Sequence, residues 1–332
     1  MATYKGIQGY SVQTLASDPT AADVEGQLWY NSTSGSYKIS VAGAGAWASA
    51  GSLNQARDAL CSAGIQTAAL AFGGRHPAHG GGMTQTESYN GSTWTVLAAL
   101  NTGTEYAGGA GVQTAALNIG GANPTGNPYV GVETWDGTSW AEGNDLVSHH
   151  SGGVTSGGIT TAALIAGGGW PPPSPYYNTT SETYDGTSWT EGNNLSALQG
   201  SMTGGRAFSS VPVGFSVGGA PSNTKFQTYD GTSWSEGTAM SDGRDQGGAT
   251  GTNTATLAFS GNPSHQVTCE SYNGTSWTEL AELATGRRAM GSAGTTTLAL
   301  CIGGETSPPP TKNSICEEWN GAPITIKTVT VS

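Results

Sequence analysis

A six-residue pattern that recurs five times constrains this chain more than any other feature. Each copy has an aromatic residue, Asn or Asp, Gly, two hydroxyl residues and Trp, and the copies occupy residues 89–94, 135–140, 184–189, 229–234 and 272–277. Asn-Gly and Asp-Gly supply the positive φ that a tight hairpin turn requires. Each copy is therefore predicted to form a strand, a turn and a second strand.

The spacing around these copies predicts six similar units. Their anchors are six tryptophans, namely Trp47, Trp94, Trp140, Trp189, Trp234 and Trp277. After each Trp come a large aliphatic residue, an apolar run that ends in Gly-Gly or once in Ser-Gly, and a returning aromatic residue. Four short strands per unit, repeated around an axis, predict a β-propeller. The 53 glycines and the charged fraction of only 10% favour strands and Gly-rich turns over helices.

The order of apolar run, glycine pair, aromatic residue and Trp resembles the Kelch repeat over about residues 47–321. The Arg position of that repeat is occupied by arginine in three units, at Arg57, Arg244 and Arg287. In the other three units it holds Thr104, His150 and Gln199. The resemblance implies an all-β fold, a six-bladed Kelch-like β-propeller.

Closing such a ring requires one strand from outside the regular units. The first unit begins at the Trp47 strand, and the last unit ends at Trp319 without the Trp that should follow. We expect the Trp47 strand to complete the sixth blade, because Leu53 follows it at the usual spacing; residues 322–332 are the alternative source. The predicted domains are residues 1–41 as an attachment or assembly segment, 42–321 as the propeller and 322–332 as a C-terminal tail.

The first 41 residues differ from the repeats and contain a small predicted hairpin. Two alternating segments, 27–31 and 36–41, flank an Asn-Ser-Thr-Ser-Gly turn. Residues 24–39, VEGQLWYNSTSGSYKI, resemble a segment found near the start of bacteriophage virion proteins, especially tail fibres and appendages. The resemblance implies a virion attachment or assembly hairpin, with Trp29 and Tyr30 as attachment residues.

The composition and charge argue against several classes of function. A net charge of −12 with eleven scattered Lys and Arg residues argues against a nucleic-acid partner. No basic leader with an apolar core and no apolar run of eighteen residues is present, which predicts a soluble protein without membrane insertion. The four cysteines lack Cys-x-x-Cys spacing and are expected to be buried hydrophobic residues. No cofactor and no metal are predicted.

Acidic residues recur at fixed positions, which indicates a structural role. Five glutamates precede the returning aromatic residue by two positions, Glu87, Glu133, Glu182, Glu270 and Glu317. A glycosidase instead needs two carboxylates that converge on one pocket. A residue that repeats from unit to unit is expected to serve the fold, so no catalytic residue is predicted.

The connections after the glycine pairs vary in length and predict one binding face. The most distinctive is residues 167–178, GGGWPPPSPYYN, in which Trp170, Tyr176 and Tyr177 surround prolines. Exposed aromatic rings on a stiff loop suit sugar rings or protein partners; the alternative is that the rings pack on each other. His76 and His79 share another such connection, as candidate ligand-binding residues or as exposed loop histidines.

These observations predict a non-enzymatic phage virion structural protein, such as a tail fibre, an appendage or a capsid-associated protein. It is expected in the virion after assembly in the host cytoplasm, with other virion proteins as partners and the propeller displayed for host attachment. The expected ligand is a host surface glycan or protein, and a homo-oligomer is compatible with these residues. One alternative is a decoration protein without a ligand, and a second is a glycan-cleaving enzyme.

Overall fold

The computed structural model describes residues 12–19, 27–76, 81–152, 154–169, 178–197, 200, 203–204, 213–220, 223–307, 310–321 and 324–330. The chain forms two compact units, one of Met1–Ala46 with Gly321–Ser332 and one of Trp47–Asn320. The regular elements in the described residues are all β-strands, so the all-β prediction is confirmed.

The strands run in chain order as follows. The first four are β1 (Gln13–Leu15), β2 (Leu28–Asn31), β3 (Ser36–Ala42) and β4 (Ala46–Ala50). Five groups of four come next: β5 (Cys61–Ile65), β6 (Ala68–Phe72), β7 (Thr86–Tyr89), β8 (Trp94–Val96); β9 (Gly108–Val112), β10 (Ala115–Ile119), β11 (Val132–Trp135), β12 (Trp140–Glu142); β13 (Thr155–Ile159), β14 (Ala162–Ala166), β15 (Ser181–Tyr184), β16 (Trp189–Glu191); β17 (Thr203–Gly204), β18 (Gly214–Val217), β19 (Phe226–Tyr229), β20 (Trp234–Glu236); β21 (Gly248–Thr252), β22 (Ala255–Phe259), β23 (Cys269–Tyr272), β24 (Trp277–Glu279). The last six are β25 (Gly291–Gly294), β26 (Leu298–Ile302), β27 (Glu305–Thr306), β28 (Thr311–Lys312), β29 (Cys316–Asn320) and β30 (Ile324–Thr328).

The Trp47–Asn320 unit contains a series of four-stranded antiparallel sheets, which we call repeat sheets. Repeat sheets 1 to 5 are β5–β8, β9–β12, β13–β16, β17–β20 and β21–β24, and repeat sheet 6 is β25, β26, β29 and β4. The first strand of each sheet contacts the first strand of the next, and β25 contacts β5. This is a propeller-like arrangement of sheets. A further two-stranded sheet joins β27 to β28.

Repeat sheet 6 combines strands from the two ends of this unit. Its order is β25, β26, β29 and β4, so the strand that contains Trp47 is its outermost strand. The Trp47 indole lies 4.9 Å from the Phe259 ring of β22, centroid to centroid, and 5.7 Å from Trp319. The Trp47 spacing in the sequence predicted this strand position.

The recurring Trp residues fill the space between successive repeat sheets. Within a sheet, Tyr184 and Trp189 stand directly opposite each other on β15 and β16, with ring centroids 4.9 Å apart. Between sheets, Trp140 of sheet 2 packs 5.0 Å from Phe72 of sheet 1 and donates its indole N–H to the Thr86 hydroxyl at 3.0 Å. Because each buried aromatic ring removes about 150–250 Å² from water, these indoles contribute much of the core.

The other unit is a four-stranded sheet in the order β1, β2, β3 and β30. β2 and β3 form the antiparallel hairpin that the sequence predicted, with residues 32–35 as its turn. β1 pairs parallel to β2, and β30 pairs antiparallel to β3. The segment that the sequence analysis treated as a separate tail therefore contributes a strand to the N-terminal sheet. Lys327 and Ile326 of β30 stand opposite Ile39 and Ser40 of β3.

The predicted attachment residues lie on opposite faces of this sheet, because they are adjacent on one strand. Trp29 is buried, and its indole N–H donates to Oδ1 of Asp18 at 3.0 Å. The Asn31 amide donates to the same oxygen at 2.7 Å. Tyr30 is half-buried and lies 5.2 Å from Tyr37, centroid to centroid. Trp29 therefore has a structural role, whereas Tyr30 and Tyr37 share the other face.

Candidate functional site

The repeated glutamates are tied into the repeat sheets. The Glu87 carboxylate accepts the backbone N–H and the side-chain amide of Asn54, each at 2.8 Å. Glu133 does the same for Asn101 in sheet 2. In each case the glutamate of the third strand holds the connection that leads into its own sheet. These contacts agree with the structural role that their repetition in the sequence indicated.

Three of these glutamates also face a buried arginine. The Arg–Glu distances are 3.2 Å for Arg57–Glu87, 3.3 Å for Arg244–Glu270 and 2.7 Å for Arg287–Glu317. Burial lowers the pKa of Arg57 to about 10, and the charge of Glu87 opposes this shift. A charge removed from water requires a partner of opposite sign, which the third strand supplies. These three Arg–Glu pairs, which we call the buried belt, are therefore part of the structural framework.

A cavity lies where the first strands of the repeat sheets begin, and we call it the mouth pocket. Its cavity volume is about 90 Å³. Residues that precede or open the first strands of sheets 1, 2, 3, 5 and 6 line it, among them Leu60, Tyr106, Val154, Gln246 and Met290. This is smaller than the roughly 300–1,000 Å³ of sites for drug-sized ligands, so the cavity has room only for a small group. Among the described residues, the mouth pocket is the candidate binding site.

The rim of the mouth pocket is held in an uncommon backbone conformation. Ala59, Tyr106, Gln246 and Ala289 have φ values between 51° and 53°, in the left-handed region that L-residues rarely adopt. Backbone hydrogen bonds link them from sheet to sheet: Tyr106 N–H donates to the Ala59 carbonyl, Ala59 N–H to Ala289 and Ala289 N–H to Gln246, at 2.7–2.9 Å. Strained backbone of this kind concentrates at functional sites. No glycine or asparagine marks these positions, so sequence analysis missed them.

A charged cluster lies beside Tyr106 on this rim. The Arg75 guanidinium lies 2.6 Å from Asp58 and 3.3 Å from Glu105, and it sits 4.8 Å above the Tyr106 ring. Lys312 lies 3.1 Å from Asp58. Burial raises the pKa of Tyr106 to about 12, so its hydroxyl remains protonated at neutral pH. Tyr106 thus presents a neutral hydroxyl next to a fixed cation.

A second cluster joins Arg288, Glu305 and His265. Arg288 Nε donates to Oε1 of Glu305 at 2.9 Å, and His265 Nε2 lies 4.0 Å from the same oxygen. Burial, and then the charge of Arg288, lowers the pKa of His265, which keeps the imidazole neutral at pH 7. The cluster therefore carries one cation and one anion that offset each other.

A backbone bridge recurs in most repeat sheets, and we call the two residues that it joins the bridge residues. Their side chains differ from sheet to sheet although the backbone pairing repeats. The residue after the Arg position forms an isolated antiparallel bridge with the residue that follows the glycine pair or Ser-Gly. These bridges are Asp58 with Arg75, Glu105 with Ala122, Gly200 with Ala220, Asp245 with Asn262 and Arg288 with Glu305. Constant backbone with variable side chains is typical of a binding surface on a rigid scaffold.

Most of the other predicted site residues lie outside the part of the chain that the structure describes. Trp170, Tyr176, Tyr177 and His79 lie outside the described residues, whereas His76 follows Arg75 and is half-buried. Within the described ranges, no three His, Cys, Asp or Glu side chains are grouped to hold a metal ion. That part of the chain also contains no helix long and apolar enough to cross a membrane.

No protein-family model matches the chain, and no curated protein matches it either.

Proposed function

We propose that Trp47–Asn320 is a six-bladed Kelch-type β-propeller that binds a host surface glycan or protein for a bacteriophage. In this proposal the repeat sheets are the blades, and the sheet of β1, β2, β3 and β30 attaches the propeller to other virion proteins. The chain acts as a virion structural protein without catalytic activity.

The observation that carries the binding proposal is the contrast between two sets of positions. The third-strand glutamates repeat, and they accept hydrogen bonds within the repeat sheets, as Glu87 does from Asn54. The bridge residues vary instead, from Asp58 and Arg75 to Gly200 and Ala220. Architecture explains the first set, and recognition of a ligand explains the second.

The virion proposal is supported by the resemblance of residues 24–39 to phage virion proteins. The same residues form most of the hairpin β2–β3, which belongs to a unit distinct from the repeat sheets. The exposed apolar residues of this hairpin include Leu28 and Tyr37, which are 41% and 48% exposed. Apolar side chains of this size at a surface are suited to a protein interface.

The binding test uses the full-length chain on an array of bacterial surface polysaccharides and on intact host cells. Gln246→Ala and Met290→Ala change the lining of the mouth pocket, and Val96→Ala, on the exposed outermost strand of sheet 1, is the matched control. We expect the two pocket variants to bind at least tenfold more weakly and the control to bind like the unchanged chain. Absence of binding to any polysaccharide or cell would favour a decoration role.

The location test is independent of binding. Antibodies against the purified chain are applied to purified phage particles and viewed by electron microscopy. Labelled particles support the virion assignment. If no particle is labelled in any preparation, the assignment is contradicted.

A further inference from the structure

Two of the five recurring turns have asparagine where the other three have aspartate. The asparagines are Asn90 and Asn273, each is followed by glycine, and both are exposed to water. The backbone nitrogen after an asparagine can attack the side-chain amide, and a following glycine has no Cβ to block that approach. Reaction with water then gives aspartate, which is the residue that the three other turns already contain.

The turn places two backbone donors on the side-chain oxygen of each asparagine. Oδ1 of Asn90 accepts the N–H groups of Ser92 and Thr93 at 3.0 and 2.9 Å. Oδ1 of Asn273 accepts the corresponding two N–H groups, both at 3.0 Å. When a nucleophile adds to Cγ, this oxygen takes up the negative charge. Fixed N–H groups that point at a developing oxyanion lower the barrier to its formation.

The same donors lie closer to the oxygen where it carries a charge. They lie 2.8 Å from Oδ1 of Asp136, 2.7 Å from that of Asp185 and 2.8 Å from that of Asp230. Hydrogen bonds to a charged acceptor are shorter and stronger than those between neutral groups. These backbone hydrogen bonds also lower the pKa of the three aspartates. The turn therefore stabilises a carboxylate more than it stabilises an amide.

We propose that Asn90 and Asn273 are sites of spontaneous deamidation, at which the folded turn promotes the conversion of asparagine into aspartate. The backbone nitrogen of Gly91 loses its proton to solvent and bonds to Cγ of Asn90. Nδ2 takes up a proton and leaves as ammonia, which closes a cyclic imide. Water then adds to the Cγ carbonyl, the bond from Cγ to the Gly91 nitrogen breaks, and that nitrogen regains its proton. The net reaction consumes water, releases ammonia and leaves a carboxyl group, without any change of oxidation state.

The hairpin accommodates one of the two products that an imide can give. Opening at Cγ restores the backbone, whereas opening at the main-chain carbonyl inserts the side-chain CH2 into the backbone as isoaspartate. Tyr89 and Trp94 stand directly opposite each other at the base of the turn, with ring centroids 4.9 Å apart. The Asn90 N–H donates to the Thr93 carbonyl at 3.2 Å. Because turn length sets this register, an extra backbone atom disrupts it, and aspartate is the product that keeps the hairpin.

A third Asn-Gly pair in the chain lacks one of the two donors. Asn320 and Gly321 are followed by Ala322 and Pro323. Proline has no backbone N–H, so Oδ1 of Asn320 cannot accept the hydrogen bond that Thr93 donates to Asn90. The same dipeptide therefore provides a comparison within one molecule.

The test incubates the full-length chain at pH 8, below its Tm, and follows each asparagine by peptide mapping with mass spectrometry. A methyltransferase specific for isoaspartate distinguishes the two products. We expect Asn90 and Asn273 to react at least about tenfold faster than Asn194, which is exposed but precedes leucine. Aspartate is expected to exceed isoaspartate at both turns by about fivefold. Predominant isoaspartate, or reaction no faster than at Asn194, would overturn the proposal.

The contribution of the fold is measured against the chain unfolded in denaturant. Each folded-state rate is divided by the rate at the same asparagine in the unfolded chain, which removes the effect of local sequence. We expect this ratio to be higher at Asn90 and Asn273 than at Asn320, because the turn supplies both donors only at the first two. An equal ratio at all three sites would show that the turn does not promote the reaction.

A second measurement tests whether the turn prefers the product. Asn90→Asp carries the product at one turn, and Asn194→Asp is the matched control, because it adds the same charge at an exposed position outside the turns. We expect the Tm of Asn90→Asp at pH 7 to be about 1–2 °C above that of Asn194→Asp. A lower Tm for Asn90→Asp would contradict the preference of the turn for a carboxylate.

Discussion

The guanidinium of Arg287 lies 2.7 Å from the carboxylate of Glu317, and both side chains are buried. The same carboxylate accepts the backbone N–H of Ala284 at 2.8 Å. One glutamate thus fixes both the arginine and the connection that enters repeat sheet 6. Because a buried ion pair adds little net stability but is costly to break, its main effect is to define a single geometry for that connection.

Removal of the arginine is expected to destabilise the repeat sheets strongly. Arg287→Met leaves Glu317 buried without its cation, and a broken buried pair costs about 3–5 kcal/mol. Lys225→Met is the matched control, because its partner Glu236 is 57% exposed and such a pair contributes at most about 1 kcal/mol. Chemical denaturation measures both free energies of unfolding. Equal losses in the two variants would contradict a structural role for the buried belt.

The aspartates of the recurring turns are expected to make the protein sensitive to acid. Hydrogen bonds from the backbone N–H groups of Ser188 and Thr187 lower the pKa of Asp185, and Asp136 and Asp230 are held in the same way. A carboxyl whose folded pKa is depressed stabilises the fold above its unfolded pKa of about 3.9 and loses that contribution as the pH falls. Stability is therefore expected to fall below about pH 4.

A triple variant tests the origin of this acid sensitivity. Asparagine replaces aspartate at Asn90, where its side-chain oxygen accepts the N–H groups of Ser92 and Thr93, so the turn tolerates the change. We expect Asp136→Asn, Asp185→Asn and Asp230→Asn together to reduce the loss of Tm between pH 5 and 2.5. Glutamine at the exposed Glu142, Glu191 and Glu279 changes the net charge equally and is the control. An equal reduction in the control would assign the effect to net charge.

Three cysteines are expected to resist thiol reagents in the folded protein. Burial raises the pKa of Cys269 and Cys301 to about 12 and that of Cys316 to about 11, so the reactive thiolate is scarce at pH 8. Cys61 lines the mouth pocket and is replaced by Ser for this test. Labelling with a chromogenic disulfide is expected to be slow until denaturant is added and then to reach three thiols. Rapid labelling without denaturant would show that these strands open readily.

The sequence predicted the outer three strands of the repeat sheets better than the contacts between sheets. Each tight turn has a local signal, as in Asp185-Gly186, and the register that sets Tyr184 opposite Trp189 follows from the turn. These turn signals are encoded within a few residues of one another. The structural role of Glu87 was predicted from its repetition, whereas its contact with Asn54, 33 positions away, was not.

The features that the sequence did not reveal depend on long-range pairing. The left-handed conformation of Tyr106 is imposed by a hydrogen bond to the Ala59 carbonyl in the neighbouring sheet, and neither residue type indicates it. The pairing of β30 with β3 joins residues almost 300 positions apart, as in the 2.8 Å hydrogen bond from Lys38 to Thr328. The mouth pocket also depends on residues far apart in the sequence, because residues from five repeat sheets line it.

β9 and β13, the first strands of repeat sheets 2 and 3, approach each other too closely for an added side-chain carbon at Gly108. A Cβ added to Gly108 in β9 would lie 2.9 Å from the Cβ of Ser156 in β13 and 3.1 Å from a methyl carbon of Ile165. The backbone N–H of Gly109 also donates to the Ser156 hydroxyl at 2.9 Å, so the two strands cannot separate without loss of this bond. Overpacking of this kind costs about 1–3 kcal/mol. Gly108→Ala is therefore expected to lower the free energy of unfolding by that amount.

Gly143→Ala is the matched control for Gly108→Ala. It makes the same chemical change, but the nearest atom to its added Cβ is a methyl carbon of Thr134 at 3.4 Å, which is ordinary contact. We expect its free energy of unfolding to stay within about 0.5 kcal/mol of the unchanged chain. Chemical denaturation of both variants measures the difference. If Gly108→Ala were as stable as Gly143→Ala, repeat sheets 2 and 3 would not meet along their first strands, and the propeller-like arrangement would lose its support there.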